Sequence, residues 1–580
     1  MSKGMEKDRS VYDKWDKRNN RSDSAYERWE RRSRKRQDGN RNRNRPGVFD
    51  IFFDVGEKGQ EESFLKDLKG RVQNNLEGLF RVLTTAVIVL LQFLVIIFLP
   101  FLLRSSTVYF YFVLELCSVV AIVSLVNKNQ SANMRMAWIS IVLLLPISGF
   151  LFYYLWGREG GKKKKLDAQI REQIAYGRQF LEQDKEVYEK FINAQPVSGR
   201  MVKYMVNEGI PLRKENAVKF YPSGEKAFED IFRAMENAKE FILIDFFIVA
   251  DGALFDKMHE ILKRKVEQGV EVKFLYDDFG GAIRTQRFFR QILEHEGVEV
   301  RIFNPIHKYT GQLYMNYRSH QKIVVVDGKV GFTGGFNLAD EYANLVERFG
   351  VWKDTGICVA GEAVWDLTVI FLQMWEACKK VTEHIDYLKY KKKASVGGDT
   401  YCQVLSDGPA FNPKNTIESV YNQMITFADK FLYITTPYLI IEDFMRQSLI
   451  EAARRGVDVR IVTPGIPDKK YTKILTNYNY GNLLKEGVHI YEYTPGFIHA
   501  KQILSENAVI VGTINMDYRS FYLHYENGVW MSGAKIKKQV KKDFNQIFEV
   551  SKEITYEEWL NRPGRYKLIQ PVLNLFSTLF

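Results

Sequence analysis

The sequence predicts an α/β protein: two duplicated sandwich halves sharing one active site, preceded by N-terminal transmembrane helices. Three observations predict it. Long apolar runs crowd residues 82–156. Beyond residue 215 one pattern of helix, glycine and Val-rich strand occurs twice. Each repeat then closes on a His-x-Lys segment. His320 and His499 stand 179 residues apart, a domain-sized period rather than the roughly 20–50 residues of a solenoid.

The chain has 580 residues and a net charge of +13, enough for several domains. Residues 1–80 form a basic N-terminal arm. Its first 50 residues hold 16 Lys or Arg against nine Asp or Glu and few aliphatics. Such a composition buries too little apolar surface to offset its ordering entropy, so the arm is expected to be largely disordered. Four scattered cysteines, 117, 358, 378 and 402, form no CxxC pair. They argue against a disulfide framework and fit a reducing compartment.

Residues 81–157 are expected to be membrane segments. Residues 82–103 are 22 residues without a formal charge, 107–126 contain one carboxylate, Glu115, and 136–156 place Trp138 near one end and Tyr153, Tyr154 and Trp156 at the other. A bilayer core needs about 20 helical residues, and aromatics belong at its interfaces. The first apolar run starts too late, and is too long, for a cleavable signal peptide. "GREGGKKKK", residues 157–165, follows the third segment with five basic residues and one acid, which places everything beyond it in the cytoplasm. Three full spans would leave the basic arm outside; two, with one re-entrant segment, would keep both ends inside. A basic, charged linker is expected over 158–215.

Residues 216–395 and 396–580 are the two expected halves, the second including the C-terminal tail. "FILIDFFIV" (241–249) matches "FLYITTPYL" (431–439); "EQGVEVKFLYDD" and "EHEGVEVRIFNP" match "RRGVDVRIVTP" and "KEGVHIYEYTP". A helix stopped by glycine and followed by a Val-rich strand is a βα-type unit. Two sets of them imply two mixed, largely buried sheets.

The chemistry lies in "RSHQKIVVVDGKVGFTGGFNLAD" (318–340) and "FIHAKQILSENAVIVGTINMD" (497–517). His320 and Lys322, like His499 and Lys501, are two apart and point the same way on an extended chain. Gly334 and Gly335 permit close backbone approach, and Asn337 and Asn515 add amides. Two imidazoles, two ammoniums and two amides suit a phosphodiester. Lysines and asparagines neutralise the nonbridging oxygens, one histidine attacks phosphorus, and the other moves the proton of the alcohol. The lysines take the neutralising role of a metal, so no cofactor is expected. Asp327 and Glu506 each follow their lysine by five residues. That odd offset turns them from the His/Lys face, to brace hairpins of which the second is one residue tighter.

On these residues the chain resembles the phospholipase D superfamily, whose signature is H-x-K-x4-D-x6-G-G/S-x-N. The first copy matches in full; the second is contracted by one residue and has Glu506 for aspartate. The resemblance covers residues 215–545. The membrane segments, "GGFNLADEY" and "GTINMDYRS" look like bacterial cardiolipin synthases in particular. It implies a catalytic set of His320, Lys322, Asp327, His499, Lys501 and Glu506, supported by Asn337, Asn515, Asp354 and Glu526. Asp354 would orient His320, and Glu526 would orient His499. It further implies a multi-pass enzyme of the cell membrane with a cytoplasmic catalytic domain, which joins two phosphatidylglycerols into cardiolipin and releases glycerol through a phosphohistidine, with His320 as nucleophile. Its partners would be phosphatidylglycerol and anionic membrane lipids, without nucleic acid. A phospholipase D-type hydrolase, another phosphatidyltransferase, a nuclease or an inactive lipid-binding protein would carry the same motifs. Asp245, a carboxylate inside an apolar strand, is a further cleft candidate. His307, His489 and His524 fall outside the signature and are expected to be structural or surface residues. The apolar tail 567–580 would dock either on the membrane or on the domain.

Overall fold

The structure, a computed structural model, describes residues 107–579 except 129–130, 146–147, 158–160, 282–283, 286–288, 306–316, 380, 394–395 and 413, together with positions 83, 87, 90, 91, 94 and 98. The N-terminal arm, most of the first apolar run, and His307 lie outside the described residues.

The first half contributes β1 (Arg213–Tyr221), β2 (Phe241–Phe246), β3 (Glu271–Asp277), β4 (Glu299–Phe303), β5 (Arg318–Ser319), β6 (Ile323–Val326), β7 (Val330–Gly334) and β8 (Gly356–Ala360). The second contributes β9 (Thr400–Asp407), β10 (Phe431–Thr435), β11 (Leu439–Ile440), β12 (Asp458–Pro464), β13 (His489–Tyr493), β14 (Gln502–Ser505), β15 (Val509–Gly512), β16 (Met516–Asp517), β17 (His524–Ser532) and β18 (Ser551–Ile554). All but β11 and β16 join one 16-stranded sheet. Outward from the β1–β9 seam, the orders are β1-β8-β7-β6-β2-β3-β4 and β9-β17-β15-β14-β10-β12-β13-β18. The first seven strands outward from the seam therefore match one for one, and β18 is an additional edge strand of the second half. In each, three parallel strands adjoin an antiparallel hairpin.

Central strands are apolar throughout because both faces are covered. One core runs across both halves, from Leu243 and Val325 to Leu504 and Val529, beneath the helices Ala363–Ala377 and Ala534–Glu549. The other faces hold two separate cores, one per half.

Three expectations change here. The 158–215 linker folds into helices Gly161–Arg178, Lys185–Ala194 and Pro196–Asn207. Their charges mask apolar positions at helical spacing: Ile170, Phe191, Met201, Val202 and Met205 are buried in the catalytic cores. Gln169 and Arg171 donate to the carbonyls of Ala377 and Ala410, strapping the helix to both halves. The third apolar segment is not one helix. Ala132–Leu144 ends, Leu145 turns to φ −126° as a residue before proline does, and Ser148–Phe152 and Tyr153–Gly157 pack back on it. Among the described residues no helix is long and apolar enough to cross a membrane, so the second and third segments do not supply the expected transmembrane helices, and most of the first lies outside the described residues. The second segment is the helix Thr107–Val126, with Leu125 buried against the hairpin and Phe112, Leu116 and Val120 exposed.

The tail forms the helix Gly564–Leu575. It bonds to the helix Lys470–Lys485 through Gln570 and the Ile474 carbonyl, leaving Leu568 and Val572 exposed.

Candidate active site

Each histidine leaves its own half and is held by the other. The backbone N–H of His320 donates to the Tyr525 carbonyl (2.8 Å), and that of His499 to the Lys353 carbonyl (2.7 Å). The next residue of each partner strand is a buried carboxylate. His320 Nδ1 therefore meets Glu526 at 2.9 Å, and His499 Nδ1 meets Asp354 at 2.7 Å. This reverses the expected assignment of Asp354 to His320 and Glu526 to His499. Sequence order favours a carboxylate downstream in the same half, but the shared sheet brings each His segment against the opposite half. With Nδ1 engaged, Nε2 of each imidazole is left for chemistry.

Glu526 is bonded further by the Thr513 hydroxyl and by Ser520 Oγ (2.7 Å). Lys322 Nζ donates to its own histidine's carbonyl (2.7 Å), and Lys501 does the same in the second half. Lys322 and Lys501 are almost fully buried, whereas the side chains of His320 and His499 each keep 8% exposure. The imidazoles thus form the accessible floor, with ammoniums behind them.

Burial governs the protonation states. Burial, then the charges of Lys322, His524, Lys501 and His499, holds His320 well below its ordinary value. Burial and Lys501 bring His499 down to about 4, against the pull of Asp354. Burial lowers Lys322 to about 8 and Lys501 to about 7. Burial raises Glu526 to about 8, opposed by Lys322, Thr513 and Ser520. Burial thus favours the neutral form of His320, as a nucleophile requires, while His499 alone is drawn toward its charged form, by Asp354.

Asp327 and Glu506, counted in the catalytic set, stand at the far ends of their hairpins. Asp327 accepts from the backbone N–H groups of Lys239, Glu240 and Phe241, and Glu506 from those of Asp429, Lys430 and Phe431. They brace equivalent loops and touch neither imidazole, as their odd offset from the lysines requires. Asn337 accepts from Ile248 N–H and donates to Tyr342 Oη. Asn515 Oδ1 is buried without a partner among the described residues. Gly334 and Gly335 make room for protein rather than ligand: a Cβ on Gly335 would lie 2.0 Å from Asp354 Oδ1.

Asp245 is fully buried beside Ser319 (3.5 Å), and burial holds it well above the usual carboxylate range against Lys322. Asp277, which sequence inspection missed, accepts from Ser319 N–H and faces Arg318 at 3.6 Å. His524 was placed outside the site; its ring stands 5.6 Å from that of His320. Its position two before Glu526 on one strand was the available signal. His320, His524 and Glu526 bring ligand atoms within 4.8 Å of one another and could hold a cation. Lys322 and Lys501 place opposing charge beside that spot, and Glu526 is already engaged.

A family model described as a cardiolipin synthase, phospholipase D-like domain matches residues 231–375 and 421–548, and one described as phospholipase D-nuclease N-terminal matches 116–158. A cardiolipin synthase of Halalkalibacterium halodurans is 32% identical over 78% of this chain and 90% of that protein. One of Listeria monocytogenes is 31% identical over 79% and 96%. An uncharacterized protein of Streptococcus mutans is 35% identical over 79% and 99%. The crystal structure of a phosphatidylserine synthase of Haemophilus influenzae superposes with a TM-score of 0.52 at 16% identity, covering 66% of this chain and all of that one, which is a likeness of fold.

Proposed function

Because the chain belongs to the cardiolipin synthase family of the phospholipase D superfamily, we propose that it is a phosphatidyltransferase that joins two phosphatidylglycerols into cardiolipin and glycerol. The observation that carries this reading is the reciprocal exchange of carboxylates, which orients two imidazoles, backed by two buried ammoniums, at one cleft.

His320 Nε2 attacks phosphorus as the bond to the first glycerol breaks. His499, held as an imidazolium between Asp354 and the anionic phosphodiester, gives the leaving oxygen its proton and, now neutral, takes one from the hydroxyl of the second lipid. That oxygen attacks phosphorus, and the P–N bond breaks to restore His320. His499 is the proton carrier because the Asp354 carboxylate raises its proton affinity, while His320 is surrounded by cations. Lys322 and Lys501 meet the phosphoryl oxygens as charge builds. Substrates of this kind lie in a bilayer. The exposed apolar side chains of Thr107–Val126 and the run Lys162–Lys165 support attachment to an anionic membrane.

The test is to supply purified protein with phosphatidylglycerol and follow cardiolipin and glycerol. His320→Ala and His499→Ala should each lower turnover about 10³-fold or more. Phosphatidic acid as sole product would replace transfer by hydrolysis. Full activity in His499→Ala would end the two-histidine mechanism.

A further inference from the structure

We propose that His524 is a headgroup-recognition residue, whose imidazole accepts a hydrogen bond from a hydroxyl of the substrate's glycerol. The inference deepens the function proposed above and rests on it. His524 and Glu526 are i and i+2 on β17, so their side chains share one face. The β5–β17 register sets His524 opposite Arg318 and Tyr525 opposite Ser319, directly beside His320. Phe247 packs against both imidazoles, at 5.1 Å from His320 and 6.4 Å from His524. The three histidine side chains are exposed to similar small extents, 8%, 8% and 11%, with His524 the most open.

Unlike those of the other two, the His524 side chain has no hydrogen bond among the described residues. Its buried Nδ1 lies 3.9 Å from Glu526 Oε1, beyond hydrogen-bond reach. An imidazole left unmatched in so closed a place costs stability unless a ligand completes it. Burial and the charges of Arg519, Lys322, Arg318 and Lys469 keep it neutral. A neutral ring has one donor and one acceptor. The Glu526 carboxylate attracts the N–H to the Nδ1 side, which leaves Nε2 as an acceptor.

The donor and acceptor inventory then selects the ligand chemistry. Lys322, Lys501, Arg318 and Arg519 are donors only, and they suit phosphate, which only accepts. The Glu526 oxygens are used by His320, Thr513 and Ser520. The His524 Nε2 acceptor needs an O–H, and glycerol hydroxyls are the donors that a phosphatidylglycerol headgroup brings.

The test compares phosphatidylglycerol with phosphatidylpropanol, which lacks those hydroxyls, by release of glycerol or propanol. His524→Phe keeps the ring's bulk and removes its nitrogens. It should lower the kcat/KM ratio of phosphatidylglycerol to phosphatidylpropanol about 10-fold or more, with His524→Gln recovering part of the loss. An unchanged ratio, whether both substrates fall together or neither falls, would overturn the assignment and leave His524 a packing residue. Calorimetric binding of soluble glycerophosphoglycerol gives the same comparison without turnover: His524→Phe should weaken it about 10-fold, and equal affinity would overturn the proposal. If the parent protein releases glycerol yet forms no cardiolipin, the synthase reading fails while the His524 comparison still stands or falls on its own ratio.

Discussion

At the scale of residues, the proposed mechanism rests on burial, which favours a neutral His320, and on the carboxylate that partners each imidazole at Nδ1. The crossed pairing has a kinetic consequence. Asp354 serves His499, the proposed proton carrier, so Asp354→Asn should let the covalent intermediate accumulate on His320 when the lipid carries an activated leaving group that needs no proton. Glu526→Gln should slow its formation. Rapid quench with labelled lipid and peptide mapping would read both, and the reverse pattern would restore the straight pairing. The lysines set the alkaline limit. Their lowered values, about 8 for Lys322 and about 7 for Lys501, mean that charge is present below those values and lost above them. The free enzyme's kcat/KM should therefore fall as pH rises beyond about 7, and more steeply beyond about 8. His320 is held well below its ordinary value, so it should impose no loss between about pH 6 and 7. A pH profile of initial rates checks both limbs.

At the scale of elements, the hairpin turns and the glycine pair position the site without touching substrate. Asp327 satisfies three backbone N–H groups while its own backbone sits at φ 50°. Asp327→Ala should cost roughly 1–3 kcal/mol, and Glu506→Ala, more exposed, about 0.5–1.5 kcal/mol. Activity per folded molecule should be kept in both, and thermal melts beside turnover measure the split. Gly335→Ala should cost activity as well. The new methyl would displace the fully buried Asp354 carboxylate, so turnover per folded molecule should drop about 10-fold or more, beside a cost of about 1–3 kcal/mol in stability. The repeat, its glycine-stopped helices and the parity of Asp327 were legible in the sequence, because each is a short-range pattern. The helices within 161–207 were not, because their charged faces hide the apolar positions that pack on the catalytic core.

At the scale of the whole molecule, one sheet continuous through the β1–β9 seam makes two repeats a single catalytic body. The proposed attachment to lipid belongs to this scale too. Glutamate at both Phe112 and Leu116 should lower co-flotation with phosphatidylglycerol vesicles several-fold while leaving turnover in detergent micelles intact, since both side chains are exposed and remote in sequence from the site. Unchanged flotation would assign membrane contact elsewhere. Chelation with EDTA should leave turnover unchanged, because the mechanism assigns charge neutralisation to the lysines. By itself the sequence determined the duplication, the two His-x-Lys pairs, the family and the phosphodiester chemistry. All of these follow from residue types at fixed short spacing. The tertiary structure alone decided which carboxylate serves which histidine, that the third apolar segment folds back, and that His524 stands at the reacting centre. Those depend on contacts between segments up to about two hundred residues apart, and the pairing of strands across the seam fixes them where local spacing is silent.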